Sequence, residues 1–136
     1  SPHAAAALEG VYIDHNKINE PKSENHMVIE GAGGVLVPLN DSDTILDIIM
    51  PTYHVVVVVK HYLGSINHSL LTIKWLLLKG YDVAILFNGE PNKASEDIIT
   101  KITGVPVLGR IGHESTLTKE VVKKYAEQLR PALLAW

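Results

Sequence analysis

The chain has 136 residues, 46% of them hydrophobic, with a net charge of −3 and no cysteine. That is enough chain for one domain with a real core, while the mild negative balance gives no pull toward nucleic acid or an anionic membrane. The lack of cysteine excludes disulfides and thiolate metal sites, the five valines at 55–59 are too short to span a bilayer, and a cytoplasmic protein without a targeting segment is expected.

Ser1-Pro2-His3-Ala4-Ala5-Ala6-Ala7-Leu8 reads as a helix, with Ser at the cap and Pro at the first helical position. Residues 11–26 are polar, are broken by Pro21, and read as a connecting loop. Residues 27–30 are expected as a short strand ending in Glu30 and opening onto Gly31-Ala32-Gly33-Gly34. A carboxylate at the carboxyl end of a buried strand, followed by glycines, stands where open α/β sheets bind ligands. Glycines let N–H groups approach a phosphate, and the acid can hold the accompanying cation. The same residues also fit a tight turn with a solvated acid. A helix is expected over 43–50, stopped before Pro51.

Residues 54–59 (HVVVVV) have no polar alternation, which predicts a strand buried on both faces of a parallel sheet. The chain then leaves through Gly64 into a helix over about 65–79, with Ile66, Leu70, Ile73 and Leu77 on one stripe and Gly80 as its stop. The start of that helix gathers unpaired N–H groups and partial positive charge, suited to a carboxylate or phosphate. Ser65 and Asn67 also serve as an ordinary cap and first-turn residue.

A strand is expected at 82–87, a helix from Asn92 to Ile102 closed by Gly104, and a short strand at 105–109. A last helix is expected from Thr118 to about Arg130, with Val121, Val122, Tyr125 and Leu129 facing in and Pro131 ending it. Alternating strands and helices with short links predict an α/β fold with a mostly parallel sheet flanked by helices. Four loops then share one ligand face: Glu30 with its glycines, Lys60 to Asn67, Asn88-Gly89, and Arg110 to Glu114.

Four segments carry a resemblance to a known family: VIEGAGGVLVPLND at 28–41, VVVVVKHYLGSINHSLLT at 55–72, ILFNGEPN at 85–92 and PVLGRI at 106–111. In this order and spacing, and with SPHAAAALEG leading, the chain resembles dethiobiotin synthetase from Ser1 to about Ile111. The resemblance implies a P-loop NTPase-like fold and an ATP- and Mg2+-dependent ring closure. Diaminopelargonic acid and CO2 form a carbamate, which takes the γ-phosphoryl group of ATP, and the second amine closes the cyclic urea and expels phosphate.

Carried onto this chain, the resemblance makes Glu30 a magnesium ligand and puts Gly31, Ala32 and Gly33 beside the nucleotide. Asn88 and Gly89 would meet the adenine edge, and Gly112 and His113 would border the base. Gly64, Ser65, Ile66 and Asn67 would hold the substrate carboxylate, in this family across a homodimer interface. The family's P-loop strand and helix, with its catalytic lysines, lie before the segment matching Ser1, and G-x-x-x-x-G-K-[ST] has no match here. The resemblance therefore implies that residues 1–136 are the carboxyl-terminal portion of one synthetase domain, with no catalytic residue of their own and no turnover in isolation. Ile111-Gly112 also departs from the family's Ile-Pro.

His54, His61 and His68 are spaced by seven but fall on a strand, a loop and a helix, which argues against zinc. Lys60 and His61 are candidates to neutralise phosphate on the rim. Gly64-Ser65-Ile66 lacks the nucleophile-elbow pattern. Two other readings stand beside the synthetase: a non-catalytic binding or dimerisation module, and a ligase like the cobyrinic acid amide synthetases.

Overall fold

The structure, a computed structural model, describes residues Ser1–Trp136, which divide into two units, Ser1–Pro51 and Thr52–Trp136. No helix is long and apolar enough to cross a membrane.

The second unit holds a three-stranded, all-parallel sheet in the order β1 (His54–Lys60), β2 (Asp82–Asn88), β3 (Val107–Ile111). The central strand β2 is apolar from Val83 to Phe87, and Val83, Ala84, Ile85 and Phe87 are buried. Burial on both faces is what an uninterrupted apolar run predicts for an interior strand. Helix α2 (Ser65–Leu78) packs on β1 and β2, α3 (Lys93–Thr103) on α2, and α4 (Lys119–Ala135) on β3. The α/β class and the parallel sheet flanked by helices are thus as the sequence predicts.

Helix ends follow their local chemistry. Gly80 and Tyr81 donate to the carbonyls of Leu77 and Leu76 at 3.0 and 3.1 Å, which closes α2 with a left-handed glycine. Gly104, with φ of 69°, closes α3. At the start of α3 the Asn92 side chain accepts from Ser95 N at 3.1 Å, and Thr118 caps α4 through Val121 N. Gly109 has φ of 145°, and a Cβ there would lie 2.6 Å from Leu129 Cδ2, so glycine lets α4 approach β3.

Several expectations need correction. The strand over 27–30 does not form, and Val28 is 97% exposed. A strand exists only as a hydrogen-bonded ladder, and these four residues pair with none. The run at 54–59 is covered on one face only: Val55 and Val57 are half-buried and Val59 buried, while Val56 and Val58, which alternate with them, are exposed. The buried stripe of α2 is Ser65, Ser69, Ile73 and Leu76, so Ile66 and Leu77 point away at 37% and 38% exposure and Leu70 is half-buried. On α4 only Leu129 is buried, and Val122 is exposed.

Pro131 sits inside α4 instead of ending it. The last turn is anchored from outside, where Trp136 Nε1 donates to Asp82 Oδ1 at 3.0 Å and the indole meets His54 edge-on, 5.1 Å between centroids. The last strand runs 107–111, two residues later than expected, because Pro106 offers only its carbonyl, which accepts from Ile85 N.

The first unit has a helix, α1 (Pro2–Leu8), begun by Ser1 and Pro2 as predicted, and two 3₁₀ turns, His15–Lys17 and Ile45–Ile48. The second replaces the longer helix expected over 43–50. Buried Asn40 ties this unit together: its Nδ2 donates to Ile13 O at 2.8 Å and Asp43 Oδ2 at 2.7 Å, and its Oδ1 accepts from Ser42 N and Asp43 N. The hydrogen bond from Asn40, followed by that from His15, holds the Asp43 carboxyl below its ordinary range.

Ile73 is 0% exposed, so Ile73→Ala is expected to cost about 2–5 kcal/mol, whereas Leu77→Ala costs clearly less. Urea unfolding with an unchanged slope measures both; equal losses would restore the stripe read from the sequence.

Candidate functional site

Pairing in β1–β2–β3 sets Lys60 beside Asn88 and Asn88 beside Ile111, so the three strands end level. The loops that follow form one rim at the carboxyl ends of the strands, the usual ligand position in open α/β sheets. Asn88, Gly89, Gly112 and His113 are brought together there, and Gly64 to Asn67 lie on the segment leaving β1. Asn88 and His113 are exposed. Gly89 N donates to Ile111 O at 2.8 Å and carries the ladder one residue past β2. Gly112 N donates to Tyr125 Oη at 2.9 Å, and that hydroxyl donates to Glu114 Oε1 at 2.6 Å. The Tyr125 hydroxyl, then Lys124, hold the Glu114 carboxyl below its ordinary range.

Beneath the rim, Glu96 in the first turn of α3 gathers three donors. Its Oε1 accepts from Asn92 N at 2.7 Å and from His61 Nε2 at 2.8 Å, and its Oε2 accepts from Arg110 Nη2. Arg110 Nη1 also donates to Gly89 O at 3.0 Å. Buried Phe87 lies against two of these partners, with the His61 ring stacked at 5.8 Å and the Arg110 guanidinium 5.5 Å from its centre. The side chains of Glu96 and His61 are 17% and 14% exposed. Burial pushes the Glu96 carboxyl up, but the Asn92 N–H, Arg110 and His61 outweigh it and hold the group below its ordinary range.

His61 is thus turned inward to Glu96, and of the two side chains read as facing phosphate only Lys60 is exposed. The Glu96–Arg110–His61 group was not legible in the sequence, because its members stand 35 and 14 residues apart, Glu96 lies in no motif, and the segments holding His61 and Arg110 do not show that the two share a carboxylate. The one available signal is that α3 must begin beside the rim, which brings an acid in its first turn near Arg110.

A cleft of about 520 Å³ opens beside the start of α2. Gly64, Ser65, Ile66 and Asn67 line it, with Tyr62, Leu63, Leu70 and Ser95. The first helical hydrogen bond here runs from His68 N to Gly64 O at 3.0 Å, so the N–H groups of Ile66 and Asn67 precede the ladder. The Tyr62 hydroxyl meets His68 Nδ1 and fixes the loop against the helix. Apolar side chains beside helix-start N–H groups suit a ligand with an aliphatic body and an anionic end.

In the first unit, Glu30 is exposed and begins the glycine loop. A Cβ on Gly31 would lie 2.8 Å from Ile45 Cγ2, and one on Gly33, with φ of 92°, would lie 2.9 Å from Val37 Cγ2. Leu46 N donates to Val35 O and Ile45 N to Val37 O, at 2.8 and 2.9 Å, which seats the loop on the second 3₁₀ turn. Packing alone thus requires both glycines, and Ala32 is exposed between them. Glu30 offers hard oxygen ligands, and no group of three His, Asp or Glu side chains is placed to hold a metal unaided. That donor set fits Mg2+, which takes one or two carboxylates and completes its shell with phosphate oxygens and water.

The sequence matches the AAA domain family over residues 1–121. It is 45% identical over 134 residues to a protein of Christiangramia forsetii named ATP-dependent dethiobiotin synthetase BioD, covering 98% of this chain and 65% of that one. Its identity to the protein of the same name from Cytophaga hutchinsonii is 50% over 132 residues, 95% of this chain and 64% of that one. A third, from Nitrobacter hamburgensis, is 42% identical over 127 residues, 91% and 59% of the two chains. The chain therefore spans a little under two thirds of the length of these curated relatives, and the resemblance read from its motifs holds.

Because Glu96 is held below its ordinary range, its contribution to stability is complete above that range and is lost as pH falls through the folded value. Thermal melting of wild type and Glu96→Gln across acidic pH is expected to show a gap that narrows on acidification. A gap independent of pH would mean that the charge of Glu96 contributes nothing.

Proposed function

The chain belongs to the AAA domain family, and on that premise we propose that it serves a dethiobiotin synthetase, an ATP-dependent ligase of biotin biosynthesis. The observation that carries this is the level rim of Lys60, Asn88 and Ile111 bearing the family's own segments, at 45% and 50% identity to two proteins of that name. The reaction joins diaminopelargonic acid and CO2 as a carbamate, passes the γ-phosphoryl group of ATP to it, and closes the ring with release of phosphate. Such chemistry asks of a protein chiefly positioning and neutralisation of charge.

In this reading both units belong to one synthetase domain, which the family match over residues 1–121 supports. Asn88 meets the adenine edge with an amide that both donates and accepts, Gly89 lets the base approach, and Gly112 and His113 border it. Gly64 to Asn67 take the carboxylate of the diamine, whose aliphatic chain suits the apolar side of the cleft lined by Leu63, Ile66 and Leu70. Glu30, beside Gly31, Ala32 and Gly33, takes Mg2+, which when bound would neutralise charge on the transferring phosphoryl group. The enzyme is a cytoplasmic homodimer in this reading. Its remaining phosphate contacts and catalytic lysines come from the part of the relatives' length outside this match.

The test is phosphate release by the full-length natural protein. Release is expected only when ATP, Mg2+, CO2 and diaminopelargonic acid are all supplied, and release indifferent to the diamine would reject the assignment. Asn88→Ala is expected to raise the KM for ATP roughly tenfold, the worth of about one hydrogen bond, with the KM for the diamine unchanged. Glu30→Gln is expected to lower kcat roughly a hundredfold and to raise the Mg2+ requirement.

A further inference from the structure

The hydrogen bonds around Glu96 are spent on backbone as well as on charge. Its Oε1 accepts from Asn92 N, at the far end of the loop that follows β2, while its Oε2 holds Arg110. Arg110 in turn donates to Gly89 O, at the near end of the same loop. One carboxylate and one guanidinium therefore grip loop 88–92 at both ends, and Gly89 is held at φ of 91° between them. Phe87, immediately before Asn88, is the surface against which Arg110 and His61 lie.

We propose that Glu96 and Arg110 are positioning residues for the nucleotide: their clasp fixes the loop so that Asn88 presents its amide to the base. The proposal rests on the reading of Asn88 and Gly89 as nucleotide contacts. A half-buried ion pair kept for stability alone has little to recommend it, since apolar side chains of the same volume do as well or better. What apolar side chains cannot do is bind Gly89 O and Asn92 N at once. The arrangement also needs a planar fork, because Arg110 bonds a carbonyl and a carboxylate through two different nitrogens. Lysine keeps the charge but has a single nitrogen, and glutamine keeps an acceptor for Asn92 N but not the charge. The two variants Arg110→Lys and Glu96→Gln therefore loosen the clasp while preserving much of the packing.

The experiment compares wild type, Glu96→Gln and Arg110→Lys as full-length protein by steady-state kinetics, calorimetric titration with Mg·ATP, and amide hydrogen exchange over residues 88–92 without nucleotide. Both variants are expected to raise the KM and Kd for ATP by about tenfold, with faster exchange in the loop and unchanged kcat and diamine KM. Faster exchange with ATP affinity unchanged would overturn the proposal and leave the clasp a structural pair. A joint fall in kcat, both affinities and melting temperature would overturn it in the same way. Wild type that binds no Mg·ATP would instead overturn the nucleotide reading of Asn88, and the positioning role with it.

Discussion

Parallel pairing of β1 with β2 and of β2 with β3 fixes the height at which each segment leaves the sheet, and the site follows from that. Because Lys60, Asn88 and Ile111 are neighbours in the register, the loops after them begin on one level. An antiparallel strand in the middle would send the Asn88 loop to the opposite end. The parallel arrangement in turn depends on β-α-β crossovers, of which α2 packs on β2 and α3 on α2, and β2 between its two neighbours is apolar from Val83 to Phe87. The same crossover delivers the first turn of α3, and with it Glu96, to the rim.

Glycine has two explanations in this chain, and packing answers for much of it. Gly31 and Gly33 avoid Ile45 and Val37, and Gly109 admits Leu129. These positions would need glycine in a protein that bound nothing. Gly64 and Gly89 are different, since open space stands where a Cβ would be, so their positive φ alone selects glycine there. Gly64 ends the loop after β1 as the N-cap of α2, and Gly89 begins the loop after β2, both on the rim.

Much of the fold was legible because long periodic segments declare themselves. The valine run, the 82–87 run, the caps at Asn92 and Thr118 and the stops at Gly80 and Gly104 all produced the elements read from them. Failures arose where a neighbour decides. Residues 27–30 have strand composition but no ladder, and β1 has interior composition but one uncovered face, with Val58 at 58% exposure. Pro131 stays within a helix because Trp136, Asp82 and His54 secure the turn beyond it. The candidate site divides in the same way. Asn88 and Gly64 to Asn67 sit in short contiguous motifs, whereas Glu96, Arg110 and His61 meet only in three dimensions.

Whether the carboxyl rim of the sheet, with Asn88 at its middle, receives the nucleotide is tested most directly by crystallography. The measurement is a structure of the full-length natural protein with Mg2+ and a non-hydrolysable ATP analogue. The adenine is expected within hydrogen-bonding distance of the Asn88 amide, over the level ends of β1, β2 and β3. A nucleotide seated elsewhere, with Asn88 left in solvent, would contradict it.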